Sequence, residues 1–266
     1  MTTLSTPVMN QLEIDARGLY YRQLNEQVHK AVEGGATHIV IRNLTGQRYL
    51  GNGLRAACRL DLHGTPGQDL AMFMDGAVTI NVYGNAQDGL CNTMTNGEVI
   101  VHGQAGDLVG HSLRGGQIYV RGSVGYRCGI HMKQYHEPVP VVVIGGTVGD
   151  YAGEYMAGGI LIVLGLERAV APVGRNWQMR ERPLVGRYLG TGMHGGVIYL
   201  RGDVEDHQMG REISRMSLDD ADRQRLKICV ERFAQHFDKD AGDILKGPFT
   251  KFMATSSRPY GRLYVY

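Results

Sequence analysis

Short runs of alternating apolar residues, each closed by a glycine, recur along the chain. "EVIVHG" (98–103), "QIYVRG" (117–122), "ILIVLG" (160–165) and "VIYLRG" (197–202) are four of them. Such alternation predicts a short strand with one face buried and one face outward. A weaker apolar stretch lies between successive runs, for example "LVGHSL" (108–113), and no intervening segment is long enough for a helix.

The runs belong to a repeat. Gly84 to Gly103, Gly103 to Gly122 and Gly146 to Gly165 are each nineteen steps, in a frame close to G-x-a-G-D-x-x-G-x-x-M-x-G-G-x-I-x-V-x-G. Weaker copies at 43–64, 64–84 and 122–146, and a last one ending at Gly202, bring the array to about seven units. Units repeating in one direction cannot pair as hairpins. The expected fold is therefore all-β, a right-handed parallel β-helix of about seven ~19-residue turns. At ~4.8 Å per turn the rod is roughly 30–35 Å long.

Stacking turns equivalent positions into columns. Met74, Met94, Leu113, Met132, Met156 and Met193 form one. It is read as core, because a flexible apolar side chain fills an irregular corner well. Gly103, Gly122, Gly146 and Gly165 form a second, at corners needing positive φ or no Cβ; Gly122 is assigned the positive φ. Asp88, Asp107 and Asp150 form a third, each expected to bond the backbone of its own turn. Calcium is the alternative for these aspartates, but nonapeptide calcium repeats require a nine-residue period.

Both ends depart from the repeat. Residues 19–33 read as a helix presenting Leu24, Val28 and Val32 on one face, with Gly34 as its stop. Residues 218–237 read as a second, presenting Leu226, Val230 and Phe233, with Ser217 and Asp220 as a capping box. Helices of this kind are expected to cover the open ends of the coil. The division is 1–42 for the N-terminal strand and helix, 43–202 for the β-helix and 203–266 for the C-terminal helix and tail. The aromatic, basic tail "GPFTKFMATSSRPYGRLYVY" is expected to pack on the rod or on a partner.

Composition adds little that changes this. The 38 glycines among 266 residues, with only 8 prolines, call for a structural reason that the corners supply. A net charge of +2 gives no nucleic-acid or membrane footprint. The four cysteines, Cys58, Cys91, Cys128 and Cys229, show no C-x-x-C spacing and are expected to be free thiols. No signal peptide or apolar span of ~18 residues is recognised, so the expected location is the cytoplasm.

Candidate chemistry is sparse. Gly190-Thr191-Gly192-Met193-His194-Gly195 reads as G-x-G-x-x-G. A dinucleotide loop must leave a strand and open a helix, whereas "VIYL" follows here at once. Ser112 in "GHSLR" lacks the closing glycine of a nucleophile elbow. His102, His111, His131 and His136 show no ligand spacing. Two inserts interrupt the array: "YHEPVP" (135–140) and a longer one at 166–182, with Trp177, Arg168, Arg175, Arg180, Arg182 and, just beyond, Arg187. Trp and Arg are favoured interface anchors. No catalytic, cofactor-binding or metal-binding residue is assigned.

The block "GDYAGEYMAGGILIVLG" (149–165) resembles the GXGXG domain, the C-terminal β-helix of the glutamate synthase large subunit. It matches at Gly149, Asp150, Gly153, Glu154, Tyr155, Met156, Gly158, Gly159 and Gly165. The opening "IDARGLYYRQLNEQV" is similar to the stand-alone form of that domain, so the resemblance covers about residues 11–202. It implies a non-catalytic structural subunit of a glutamate-synthase-type oxidoreductase complex. A glutaminase-type amidotransferase subunit would be one partner. An FMN/iron–sulfur synthase subunit would be the other and would carry those cofactors. The rods could also self-associate. The C-type subunit of formylmethanofuran dehydrogenase or of the formyltransferase/hydrolase complex uses a similar rod and is the alternative; an N-methylglutamate synthase is a further one. The inserts and the long tail depart from the family pattern.

Overall fold

The computed structural model describes residues 11–135, 137–167, 170–173 and 178–255. In chain order it comprises β1 (Gln11–Asp15), α1 (Tyr21–Glu33), β2 (His38–Thr45), β3 (Cys58–Thr65), β4 (Val78–Tyr83), β5 (Glu98–Val101) and β6 (Gln117–Val120). These are followed by β7 (Val141–Ile144), β8 (Ala157–Val163), β9 (Val170–Val173), β10 (Gln178–Glu181) and β11 (Gly195–Arg201). The chain then forms β12 (Ile213–Met216), α2 (Asp220–Phe237), α3 (Ala241–Leu245) and β13 (Phe249–Ala254). Strands β1 to β8 and β11 stack in chain order as parallel neighbours, and β13 and then β12 add antiparallel at the far edge. The unit-ending strands of the repeat are β3 to β8 and β11, and the fold is a parallel β-helix. The insert before β11 is an antiparallel hairpin of β9 and β10.

Alternation along each strand sorts residues into two cores. Ile80, Val99, Ile118, Val142, Leu161 and Ile198 point into the coil with the methionine column, whose six members are fully buried. Each such side chain contributes about 1.5–3 kcal/mol of transfer free energy. Ile100, Tyr119, Val143, Ile162 and Tyr199 point outward, into a separate cluster with α2.

Between strands, each rung follows a zigzag. Tyr151, Gly153 and Tyr155 all have positive φ, at 65°, 69° and 51°. Tyr188, Gly190 and Gly192 repeat this one rung later. Alternate residues send their N–H groups to opposite neighbours: Tyr151 to Arg187 O and Tyr155 to Thr191 O on the next rung, Gly153 to Cys128 O on the previous one (all 2.8 Å). The middle residue faces the interior. A Cβ on Gly153 would sit 2.6 Å from Ile198 Cδ1, so glycine answers both the left-handed backbone and the lack of room.

Three expectations are corrected. Gly122 does not have positive φ; its missing Cβ is needed because one would lie 2.8 Å from Gln104 Cγ and 2.9 Å from Gly103 O on the rung before. The aspartate column bonds the next rung, not its own: Asp88, Asp107 and Asp150 accept from the N–H groups of Asp107, Tyr126 and Arg187, each at 2.8 Å. A Cβ on Gly125 would fall only 1.9 Å from Asp107 Oδ1, so each aspartate also requires glycine beside the N–H it receives. Finally, α2 is capped by Asp219, which accepts from Asp222 N while Asp222 accepts from Asp219 N, so Ser217 is not the cap.

The two helices also differ in place. α1 sits at the N-terminal end of the coil, where Asn25 donates to Arg48 O at 2.9 Å and Tyr21 meets Tyr49 at 5.7 Å; Leu24 and Val28 are buried in the interior core and Val32 is partly buried. α2 does not cover an end. Leu226, Val230 and Phe233 are buried, but against the outward side of β5 to β8 and β11. The other end is closed by β12 and β13, with Ile213 and Phe252 in the interior core. No helix among the described residues is long and apolar enough to cross a membrane.

Candidate functional site

The residues singled out in the sequence turn out to serve the rungs. Ser112 has φ 53° and passes its N–H to Ile130 O, one more rung-to-rung bond. Gly190 to Gly195 run straight into β11 with no helix, so the G-x-G-x-x-G string is not a dinucleotide loop. His102 stacks on Tyr83 at 4.9 Å and meets the edge of Phe237 at 5.4 Å. His131 lies between His111 and Tyr155, at 6.1 and 5.4 Å. Burial, helped by the neighbouring His131, pushes the His111 imidazole down. All four cysteines are free and buried, and no group of three or more His, Cys, Asp or Glu among the described residues could hold a metal ion. Trp177, Arg168, Arg175 and His136 lie outside the described residues, as does the Arg180 side chain; Arg182 and Arg187 are exposed.

The structure brings together groups that sequence reasoning missed. On one flank of α2, Arg232 grips Glu98 with two bonds of 2.9 Å and His236 adds a third at 3.1 Å. Burial works to raise the Glu98 carboxyl, but these bonds outweigh it and hold it at about 2. On the other flank, buried Asp222 accepts from Tyr199 Oη at 2.5 Å and Lys251 Nζ at 2.6 Å, and Arg225 reaches both Asp222 and Tyr199. Burial opposes the charge of Asp222, yet the Lys251 and Tyr199 bonds hold it at about 2. The Tyr199 hydroxyl is raised by its burial and then by donating to that carboxylate, so it stays neutral. No buried side-chain polar atom of this set lacks a partner, and the set staples α2 to β11 and β13. The one legible signal was the second acid, Asp222, three residues after Asp219.

Between α2 and the starts of the strands runs a groove in two joined hollows of about 910 and 670 Å³ that share Val139, Ile160 and Arg225. The 135–140 insert forms its opposite wall through Glu137, Pro138 and Val139. On the zigzag side of the rod lies a different surface. Tyr151 stacks on Tyr188 at 4.8 Å, Arg127 sits over Tyr151 at 5.0 Å and pairs with Glu154 at 2.9 Å, and Tyr155 and Tyr188 are exposed. A rigid, exposed array of aromatic rings and guanidinium groups has the chemistry of a protein-docking surface.

Comparison with known proteins agrees with this architecture. The family model described as "GXGXG motif" matches residues 22–256. The description fits the rungs, whose alternate left-handed positions carry pairs such as Gly51 and Gly53 or Gly190 and Gly192. An uncharacterized protein of Methanocaldococcus jannaschii is 44% identical over 262 residues, 96% of this chain and 97% of that protein. Ferredoxin-dependent glutamate synthase 2 of Synechocystis sp. is 26% identical over 218 residues, 78% of this chain but 13% of that protein. The ferredoxin-dependent glutamate synthase of Pyropia yezoensis is 24% identical over 206 residues, 73% of this chain and 12% of that protein.

Proposed function

This chain belongs to the GXGXG motif family, and from that premise we propose that it is a non-catalytic structural subunit of a glutamate-synthase-type complex. Its role would be to brace an amidotransferase subunit, which releases ammonia from glutamine, against a synthase subunit that adds the ammonia to 2-oxoglutarate. The observation that carries the reading is one of proportion. Most of this chain aligns with 12–13% of a glutamate synthase, so it corresponds to one segment of such an enzyme, and the proposal assigns the other activities to partner subunits.

The chemistry of the described residues supports a bracing role. The repeated aspartates are committed to backbone N–H groups of the next rung, and the histidines at 102 and 131 stack on Tyr83 and Tyr155, with His111 edge-on to His131. The buried, separate cysteines do not form the donor set an iron–sulfur cluster needs. FMN and the cluster are accordingly proposed for the synthase subunit. The aromatic and arginine ladder around Tyr151 and Tyr188 is the proposed docking face.

The test is mild affinity purification from the native cell, with mass spectrometry of co-eluting chains and a visible spectrum. An amidotransferase and a yellow-brown flavin and iron–sulfur protein are expected to co-elute. Deletion of the chain is expected to abolish glutamine-dependent glutamate formation. Full activity without it, or a colourless lone protein, would refute the reading.

A further inference from the structure

Between β1 and β2 the chain runs through α1 instead of a zigzag, and α1 replaces the missing zigzag incompletely. On later rungs the carbonyl that opens the zigzag accepts an N–H from the rung before: Gln68 O from Tyr49 N and Asp150 O from Arg127 N, each at 2.9 Å. The first zigzag begins at Tyr49 and has none before it. Its opening carbonyl, Arg48 O, accepts from the side-chain Nδ2 of Asn25 on α1 at 2.9 Å, and the same nitrogen donates to Tyr21 O at 2.7 Å. Two carbonyls fix the nitrogen end of this amide, so its oxygen end is left over. Asn25 Oδ1 is the one buried side-chain polar atom without a partner among the described residues. Buried acceptors are normally bonded.

A hollow of about 370 Å³ lies here, lined by Tyr21, Arg22, Asn25 and Glu26 of α1 and by Tyr49 and Asn52 of the rung. Two guanidinium groups stand on its tyrosines. Arg48 lies over the rings of Tyr21 and Tyr49, at 4.9 and 5.7 Å. Arg22 lies over Tyr21 at 5.9 Å, and its Nε donates to Tyr21 Oη at 3.3 Å. Among the described residues neither arginine pairs with a carboxylate, and Glu26 pairs with no cation. The Tyr21 hydroxyl is drawn below its ordinary value, first by the Arg22 bond and then by one from Tyr20, with the charges of Arg22 and Arg48 adding to them. A guanidinium stacked on a ring is held in place with N–H groups still free for a planar acid.

We propose that this hollow binds an α-carboxylate with an N–H donor on the same carbon. Arg22 and Arg48 receive the carboxylate, and Asn25 Oδ1 and Glu26 accept from the donor. A cation alone would leave both arginines unmet, and a simple anion would leave the buried oxygen unmet. Two sources present this chemistry: a free amino acid, and the C-terminal residue of another polypeptide. The inference stands apart from the proposed subunit role, because its test needs only the isolated full chain.

That test is an NMR titration of the labelled chain, read at the Asn25 side-chain amide and the Arg48 Nε–H. The probes are L-alanine, N-acetyl-L-alanine, L-alaninamide and acetate. L-Alanine or N-acetyl-L-alanine is expected to give saturable shifts at both groups, about ten-fold tighter or more than acetate or L-alaninamide. Tighter binding of L-alanine makes a free amino acid the ligand, and tighter binding of N-acetyl-L-alanine makes it a chain terminus. Arg22 and Arg48 are exposed, so Arg22→Gln and Arg48→Gln should keep the fold and weaken that binding about ten-fold or more. Absence of a saturable shift overturns the proposal. So does equal binding of acetate, which would leave the buried oxygen uninvolved, or binding unchanged in both arginine variants.

Discussion

The outward face of the sheet changes character halfway along the rod, while the inward face does not. At β3 and β4 the outward residues are Arg59, Asp61, Thr79 and Asn81; at β7 and β8 they are Val141, Val143, Ile160 and Ile162. Inward, Leu60, Ile80, Val142 and Leu161 are interchangeable. The polar half is left open and satisfied within itself: Asp61 accepts from His38 at 2.8 Å, Arg59 at 3.0 Å and Asn81 at 2.9 Å. The apolar half is covered by α2. One repeat can thus build two surfaces, because the interior column specifies the rod and the outward column specifies what lies on it.

The strongest way to break the contrast is to loosen the helix. Phe233 is fully buried in the outer cluster, its ring against Gly145, where a Cβ would lie 2.6 Å from Phe233 Cζ. Phe233→Ala is expected to cost about 3–5 kcal/mol in chemical denaturation. Hydrogen exchange should rise in α2 while β3 and β4 keep their protection. Equal loss of protection at both halves would show that the rod and the helix unfold as one.

Acid should act on the same half. Glu98 has its folded pKa depressed from 4.5 to about 2, so its contribution is complete above pH 4.5 and is lost as pH falls toward 2. The size is on the order of 3 kcal/mol. The melting temperature of Glu98→Gln should therefore lie below that of the parent at neutral pH and converge with it near pH 2. A constant gap would remove the ion pair with Arg232 and His236 as the cause.

A rung defect should be indifferent to the two halves. Gly125→Ala drives a Cβ into Asp107 Oδ1, and a cost of about 1–3 kcal/mol is expected. Asp107→Ala in the same chain should recover part of that loss, since it removes the clashing oxygen. A double variant less stable than the sum of its parts would refute the clash. The smallest effect belongs to the open half. Asp61→Asn keeps the shape and gives up the charge-assisted bonds to Arg59 and His38, for about 1 kcal/mol by thermal denaturation. A loss as large as that of Phe233→Ala would mean that the open face is as integral to the fold as the covered one.

Much of this was legible in the residues. Within the array, positions nineteen apart in sequence become neighbours in space, so the period alone placed Met94 under Leu113 and Gly103 under Gly122. The same local reading found Leu24 and Val28 on the buried side of α1, because helix periodicity needs no tertiary information. It missed the partner of each aspartate, since a carboxylate at a turn can bond its own loop or the next rung with equal ease, and stacking distance decides. It also missed a signal that was present. "VVVI" (141–144) and "ILIV" (160–163) are apolar at every position, as expected of strands buried on both faces.

What the sequence determined by itself is the rod: its period, its interior columns and its glycine corners, all set by residues close to one another along the repeat. Only the tertiary structure decided where α2 lies, how β13 returns to pair with β11, and that Tyr199, Asp222 and Lys251 meet. Those contacts join segments more than twenty residues apart that share no period. Nothing local constrains them, and the free energy that selects them comes from burying an apolar face formed only when the rungs have stacked.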